Sequence, residues 1–128
     1  MNNDRPPIMD ELARCRGWIE DALEYSGGTH DYQDIVDGIL DGKMQLWAGE
    51  SGCGVTEINV YPKKKILHVF LLGGELNQIL DFEESMAEFA RMNGCSAMTG
   101  AGRPGWDRVM KSTDHGWKRL FVVIERPV

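Results

Sequence analysis

The stretch ILHVFLL at Ile66–Leu72 decides the fold because it is apolar along almost its whole length. A run of this kind is typical of a central strand whose two faces are both covered. A helical pattern follows at Glu75–Asn93 and ends at Gly94. A short strand near Ser96–Thr99, a short helix and an apolar final strand at Leu120–Ile124 come next. Strands that alternate with helices predict a sheet with parallel neighbours and helices on its faces.

Two helices are predicted ahead of this unit. Ile8–Tyr25 has apolar residues at steps of three and four, and a second helix follows, ending at Gly42. Thr29 or Asp31 can supply the N-cap of that second helix. The N-terminal half is therefore predicted to contribute a helix pair.

Two further strands connect the helix pair to the central strand. Met44–Ala48 and the alternating segment Val55–Tyr61 flank a predicted turn at Ser51–Gly54, which suggests a hairpin. The expected fold class is α/β (α+β), with a mixed central sheet, an N-terminal helix pair and two further helices packed on it.

Length and composition indicate one globular domain. The chain has 128 residues, a hydrophobic share of 42% and a net charge of -6. Residues 1–7 are polar and contain two prolines, so they are predicted to form an arm ahead of a single domain at 8–128. Residues 1–50 carry eleven acidic and four basic side chains, and we therefore predict no nucleic-acid partner.

The sequence also bears on the location of the protein. Its three cysteines are far apart in sequence, which argues against a zinc site or a disulfide framework, and no metal is predicted. No signal peptide is visible, and no apolar run reaches the roughly 20 residues that cross a bilayer. We expect no membrane partner and no secretion by a signal peptide.

Three segments carry a family resemblance. ARMNGCSAM at Ala90–Met98 resembles the turn from helix to strand in GNAT acetyltransferases. DHGWKRLFVVIER at Asp114–Arg126 resembles that family's step into its last strands. GRPGW at Gly102–Trp106 is similar to small GNAT-like proteins of tailed bacteriophages. The resemblance covers roughly residues 8–126. It implies a GNAT-like fold in which acetyl-CoA binds between a splayed central strand and its neighbour.

The resemblance also implies where a cofactor would bind. In the family, a loop after the central strand and the next helix N-terminus hold the pyrophosphate, as expected for an anion at a positive helix end. The cofactor residues implied here are Leu71, Leu72, Gly73, Gly74 and Asn77. The family's Arg or Gln ahead of the glycines is missing, and an acid, Glu75, follows them.

Candidate proton-transfer residues follow from the same resemblance, because acetyl transfer needs a base for the amine and an acid for the leaving thiolate. Glu57 lies on a strand that can border the gap, and His68 lies in the central strand. His115 is the candidate acid, because the family's tyrosine is absent from residues 110–117. The structural alternatives are an outward-facing glutamate, a core histidine and an exposed histidine at a helix end.

Two functions remain open at this point. The favoured one is a non-catalytic GNAT-like phage structural, assembly or protein-binding component without a cofactor. Its partners would be other virion proteins or copies of itself, in the virion or host cytoplasm. Arg103 and Trp106 are its predicted interface residues, since tryptophan is common at interface anchors. The alternative is an acetyl-CoA-dependent N-acyltransferase with a divergent cofactor loop, so whether the chain is an enzyme stays open.

Overall fold

The computed structural model describes residues 7–128, so the predicted arm at 1–7 lies outside the described residues except for Pro7. The elements of the described chain, in order, are α1 (Ile8–Leu23), α2 (Tyr32–Leu40), β1 (Met44–Ala48), β2 (Gly52–Val60), β3 (Lys65–Gly74), α3 (Leu76–Met92), β4 (Ala97–Gly100) and α4 (Trp106–Lys111). Asp31 caps α2 through a capping box with Asp34. No helix of the described chain has the length and apolarity needed to span a membrane.

The strands form one mixed sheet in the order β1-β2-β3-β4. β1, β2 and β3 are antiparallel neighbours, whereas β4 runs parallel to β3. The long α3 makes the crossover that a parallel pair requires. The predicted α+β class with a mixed sheet and an N-terminal helix pair is therefore confirmed.

Helices cover both faces of the sheet and enclose two apolar clusters. The first cluster lies between α1, α2 and the sheet, and its buried members are Leu12, Cys15, Ile19, Ile35, Val36, Cys53, Val55 and Leu71. The second lies between α3 and the other face, and its buried members are Leu67, Val69, Phe82, Met86 and Ala90. Both clusters draw on β3, which explains why this strand is apolar on both faces.

A β-bulge interrupts β3 near its middle. Thr56 of β2 is paired with Val69, but the preceding Val55 is paired with Leu71, so Phe70 is an extra residue on β3. β4 pairs with β3 only as far as the partners Val69 and Gly100. The β3 residues from Phe70 onward therefore have no strand partner on the β4 side within the described chain.

The predicted turn at Ser51–Gly54 is wrong for its last three residues, which belong to β2. Glycine is needed there because other chain segments come very close. A Cβ on Gly52 would lie 2.7 Å from the Gly73 carbonyl oxygen, and one on Gly54 would lie 3.0 Å from Leu72. A glycine run in a strand therefore signalled close approach and not a turn.

The predicted final strand at Leu120–Ile124 is also wrong. These residues form no strand in the structure, and all five side chains are exposed. Strand propensity was present, but a strand needs a partner, and this segment lies against no other strand of residues 7–128.

One acidic side chain of α3 is buried. A carboxylate oxygen of Glu83 accepts two hydrogen bonds, from the indole Nε1 of Trp117 at 2.8 Å and from His115 Nδ1 at 2.9 Å, which satisfy it away from water. Its neighbour Glu84 is exposed.

Candidate functional site

Three polar side chains form a row across the sheet next to the bulge. Glu57 of β2 is paired with His68 of β3, and His68 is paired with Thr99 of β4. His68 Nδ1 lies 2.8 Å from the Thr99 hydroxyl oxygen. Leu67 and Val69 face α3, so His68 between them faces the α1–α2 side, as strand alternation requires. The structure thus brings two of the predicted catalytic residues together.

The environment of His68 favours the neutral imidazole. Burial lowers the pKa of His68, and the negative charge of Glu57 opposes this shift without cancelling it. When the proton is on Nδ1 and is donated to Thr99, Nε2 carries the free lone pair. The half-buried ring can then accept a proton at neutral pH.

An aromatic contact links this row to the loop between α1 and α2. The ring of Phe70, the bulged residue, lies 4.8 Å from the ring of His30 in an edge-to-face arrangement. The ring centroids of His68 and Phe70 are 6.3 Å apart. The loop that precedes α2 therefore borders the same region of the sheet as the polar row.

A pocket of about 320 Å³ lies at the carboxyl end of β3. One wall is formed by the end of β3 and the start of α3, and the other by the segment that leads into α4. The lining residues are Gly74, Leu76, Ile79, Arg103, Pro104, Gly105, Trp106, Arg108 and Val109. Two arginines thus face a helix N-terminus across one cavity, which is a favourable setting for an anion.

The start of α3 has amide donors available. Glu75 is the N-cap residue, but its side chain makes no capping hydrogen bond, and the first turn contains no acid. Glu75 therefore stands one position ahead of the first turn. The first N–H groups of a helix have no partner inside the helix and point outward along its axis. The acidic side chain does not cap them in this structure.

The turn between β1 and β2 holds the start of α3 in place. The Glu75 N–H donates to the Ser51 carbonyl at 2.9 Å, and the Ser51 N–H donates to the Gln78 side chain at 3.3 Å. Gln78 also packs against Gly49, where a Cβ would lie 2.2 Å from its carboxamide carbon. These contacts fix the helix end at the mouth of the pocket.

Of the five predicted cofactor residues, Gly74 lines the pocket and the other four do not. Leu71 is a buried core residue, and Leu72 packs against the second cluster. Gly73 belongs to β3 and lies against α1, because a Cβ there would be 2.8 Å from the Trp18 carbonyl oxygen. Gly73 is thus a packing glycine and does not lie in a loop. Asn77 is exposed outside the pocket lining.

The predicted acid, His115, lies apart from the other two candidates. It bonds Glu83 of α3, on the opposite face of the sheet from Glu57 and His68. The hydrogen bond to Glu83 raises the pKa of His115, with further support from the charges of Glu83, Glu84 and Asp114. In this position its contact with α3 anchors the chain after α4.

The predicted interface residues belong to the pocket. Arg103 lies 6.0 Å from the centroid of the Trp106 ring, and both side chains line the cavity beside Gly74. Sequence reasoning assigned the glycines and these two residues to separate roles. It assigned neither Arg108 nor Thr99 to the site. The basic residues between positions 103 and 119 were the available signal for the pocket. The pairing of Thr99 with His68 depends on strand register and has no signal in the sequence.

Comparisons with known proteins support the fold. No protein-family model and no curated protein matches the chain. A probable acetyltransferase of known structure aligns with a TM-score of 0.66 and 11% identity, over 94% of this chain and 93% of that one. A transcriptional regulator from Bacillus halodurans C-125 aligns with a TM-score of 0.68 and 12% identity, over 98% and 97%.

A third similar structure is an aminoglycoside acetyltransferase from an uncultured soil metagenomic sample, in complex with sisomicin. It aligns with a TM-score of 0.60 and 14% identity, over 95% of this chain and 89% of that one. At these identities the likeness shows the fold alone. The chain has a GNAT-like acetyltransferase fold, and its activity is a separate question.

Proposed function

We propose that this chain is an acyltransferase that uses acetyl-CoA and acetylates an amine. The observation that carries the proposal is the pocket at the end of β3, where Arg103 and Arg108 face the uncapped start of α3. Phe70–Gly74, the part of β3 between the polar row and this pocket, has no strand partner on the β4 side within the described chain. The four residue steps from Phe70 to Gly74 span about 13 Å of strand, which suits an extended thioester arm.

The residues present fit such a cofactor. Arg103, Arg108 and the first N–H groups of α3 would hold its phosphates, and the unpaired edge of β3 would border its arm. The positive φ of 111° at Gly74 lets the chain turn sharply from β3 into α3. When bound, acetyl-CoA supplies an activated acetyl thioester.

The chemistry assigned to this chain is proton removal and positioning. His68 Nε2 accepts the proton of the attacking amine, while Thr99 holds the ring through Nδ1. Glu57, opposite His68 in the register, stabilises the imidazolium that forms. The α1–α2 loop, whose His30 contacts Phe70, borders the face of the sheet on which the amine substrate would bind.

Cofactor binding is tested first by thermal shift with acetyl-CoA, with free CoA in parallel. Saturation at ~100 times the dissociation constant should raise the melting temperature by about 10 °C. Arg103→Ala and Arg108→Ala should each weaken binding by about 10-fold or more, because each removes a charge-assisted contact. Arg91→Ala is the matched control, since Arg91 lies at the far end of α3 in an exposed pair with Glu88. An equal loss in the control would contradict the assigned pocket.

Catalysis is tested by acetyl transfer to a panel of amines. His68→Ala should lower kcat by about 100-fold or more while cofactor binding is retained. Glu57→Gln should lower kcat by a smaller factor. If neither the cofactor shift nor transfer is detected, the proposed activity is wrong.

A second candidate is the non-catalytic phage structural or assembly component that the sequence favours. Two observations support it: residues 110–117 lack a tyrosine, and the apolar side chains of 120–124 are exposed in the manner of a protein-binding segment. Virion proteins would then be the partners. Genes for portal or capsid proteins next to this gene, together with no shift at millimolar acetyl-CoA, would favour this candidate over the enzyme.

A further inference from the structure

Local interactions stabilise α4, the helix that carries Arg108, only weakly. α4 has six residues, its N-cap Gly105 makes no side-chain capping bond, and none of its residues is buried. A helix this short is unstable unless other parts of the protein hold it. The ion pair between Asp107 and Arg119 is exposed on both sides and adds little. The position of α4 therefore depends on contacts made outside the helix.

A buried carboxylate of α3 supplies such a contact. Glu83 is 8% exposed, and no other carboxylate among residues 7–128 is buried. A buried charge is costly unless hydrogen bonds compensate it. One carboxylate oxygen of Glu83 accepts from Trp117 Nε1 at 2.8 Å and from His115 Nδ1 at 2.9 Å. Glu83 therefore holds both residues, because releasing them would leave the buried charge unsatisfied.

A run of tight turns connects His115 to the end of α4. The Thr113 hydroxyl donates to the Met110 carbonyl at 2.7 Å, and the Asp114 N–H donates to the Lys111 carbonyl at 3.1 Å. These hydrogen bonds cover the whole interval between α4 and His115. A contact that fixes His115 therefore fixes α4 as well.

The pocket and the Glu83 contact lie on one face of α3. Leu76 and Ile79 line the pocket, and Glu83 follows Ile79 at a spacing of four residues, which places it on the same side of the helix. The rise along the helix axis from Ile79 to Glu83 is about 6 Å. α3 thus holds the segment 103–117 at two points, through the pocket walls and, one turn later, through Glu83.

We propose that Glu83 is a positioning residue for the pocket: it holds α4 on α3, so that Arg103 and Arg108 stay opposite the start of α3 and bind a phosphorylated ligand. The identity of that ligand as acetyl-CoA rests on the function proposed above. Glu83 does not line the pocket, so it acts through Trp117, His115 and α4.

The sign of the effect separates this role from electrostatics alone. Removing a negative charge near an anion site should strengthen phosphate binding if only the charge mattered. Loss of the Glu83 contact should instead weaken binding, because the arginines would lose their position. Glu84→Gln is the matched control. Glu84 is the next residue of α3 and is exposed, and the hydrogen bonds of His115 and Trp117 go to Glu83 and not to Glu84.

The first test needs no ligand and measures hydrogen exchange of the full chain. The amides of residues 105–115 should exchange faster in Glu83→Ala and in Trp117→Phe than in the wild type, while those of α1 and β2 are unchanged. Glu84→Gln should match the wild type. Equal exchange at 105–115 in all four proteins overturns the proposal. If Glu83→Ala loses protection throughout the chain, Trp117→Phe, which keeps the aromatic ring, decides by the same criterion.

The second test measures dissociation constants for acetyl-CoA and for inorganic pyrophosphate by calorimetry. Glu83→Ala should weaken the binding of both by about 10-fold or more. Glu83→Gln should weaken it by a smaller factor, since the amide oxygen can still accept from Trp117. Glu84→Gln should bind as tightly as the wild type or slightly more tightly. Tighter or unchanged binding by Glu83→Ala overturns the proposal.

A pH profile of the affinity gives a readout that a general loss of stability would not produce. The charged groups that act on His115 are Glu83 and Glu84 of α3 and Asp114 of its own turn, and they raise its pKa. The contact with Glu83 is strongest when His115 is protonated. Wild-type affinity should therefore fall as pH rises from about 6 to 9, and His115→Asn should lack this fall. The ligand's own titration is common to both proteins, so parallel profiles would contradict the proposal.

The two ligands separate this proposal from the function on which it rests. A wild type that binds pyrophosphate but not acetyl-CoA contradicts the proposed function, whereas weaker pyrophosphate binding by Glu83→Ala would still support the positioning role. A wild type that binds neither ligand overturns both.

Discussion

Two apolar runs of this chain, Ile66–Leu72 and Leu120–Ile124, have similar compositions and opposite environments. The first forms β3, with a strand on each side along part of its length and helices over both faces. The second is exposed along its whole length. An apolar run of this composition therefore favours an extended and buried conformation. It forms a strand only where a neighbouring strand offers unpaired backbone N–H and C=O groups.

The largest expected difference between the two runs is in core packing. Leu67→Ala should lower the free energy of unfolding by about 2–5 kcal/mol, because Leu67 is fully buried beneath α3. Val122→Ala should change the stability of a single copy by less than about 0.5 kcal/mol. Urea denaturation at low protein concentration measures both values. Equal losses in the two variants would mean that the C-terminal segment is packed within its own domain.

A smaller difference is expected between two glycines that have similar backbone angles. Gly74 ends β3 with φ 111°, and Gly116 precedes the exposed run with φ 95°. Alanine at either position is strained by roughly 1–3 kcal/mol. A Cβ at Gly74 would in addition lie 2.3 Å from the Gly52 Cα, whereas the space around Gly116 is open. Thermal denaturation should therefore give a lower melting temperature for Gly74→Ala than for Gly116→Ala. The reverse order would contradict the close approach of β2 and β3.

The smallest effect concerns pH and has opposite signs in the two regions. Burial lowers the pKa of His68 in the folded state. The free energy of unfolding therefore decreases as pH falls through about 6.5, because the unfolded chain takes up the proton at a higher pH than the folded chain. The hydrogen bond to Glu83 raises the pKa of His115 in the folded state. The protonated His115 therefore adds to the free energy of unfolding below about 6.5, and this gain is lost as pH rises through the pKa of the folded state.

Unfolding free energies of the wild type, His68→Gln and His115→Asn between pH 5 and 8.5 test these signs. His68→Gln should be relatively more stable than the wild type toward acid. The stability of His115→Asn should fall furthest below that of the wild type at acid pH and should match it at high pH. Parallel pH profiles for all three proteins would contradict both assignments.

Much of the architecture was predictable from local patterns. The periodicity of Ile8–Tyr25 and Glu75–Asn93 gave both long helices to within two residues at each end, because an amphipathic stripe has a definite repeat. The hairpin and the parallel crossover followed from element order. The turn at 51–54 was partly misassigned because glycines in β2 serve the approach of β3, which involves residues about twenty positions away.

The candidate site was predictable only in fragments. Glu57 and His68 were singled out, but their pairing with each other and with Thr99 depends on strand register. The bulge at Phe70 changes which side chains share a face, and one residue of slip reverses every later position. The burial of Glu83 has no local signal either, because its partners, Trp117 and His115, lie more than thirty residues farther along the chain.

The sequence by itself determined the elements and their order, since helix and strand preferences depend on neighbouring residues and on the periodicity of apolar side chains. Tertiary structure alone decided that Arg103 and Arg108 face the start of α3, that β3 continues past the end of β4, and that the last apolar run is unpaired within its own domain. These features depend on distances between segments remote in sequence. Such distances are set by packing the whole chain and have no local code.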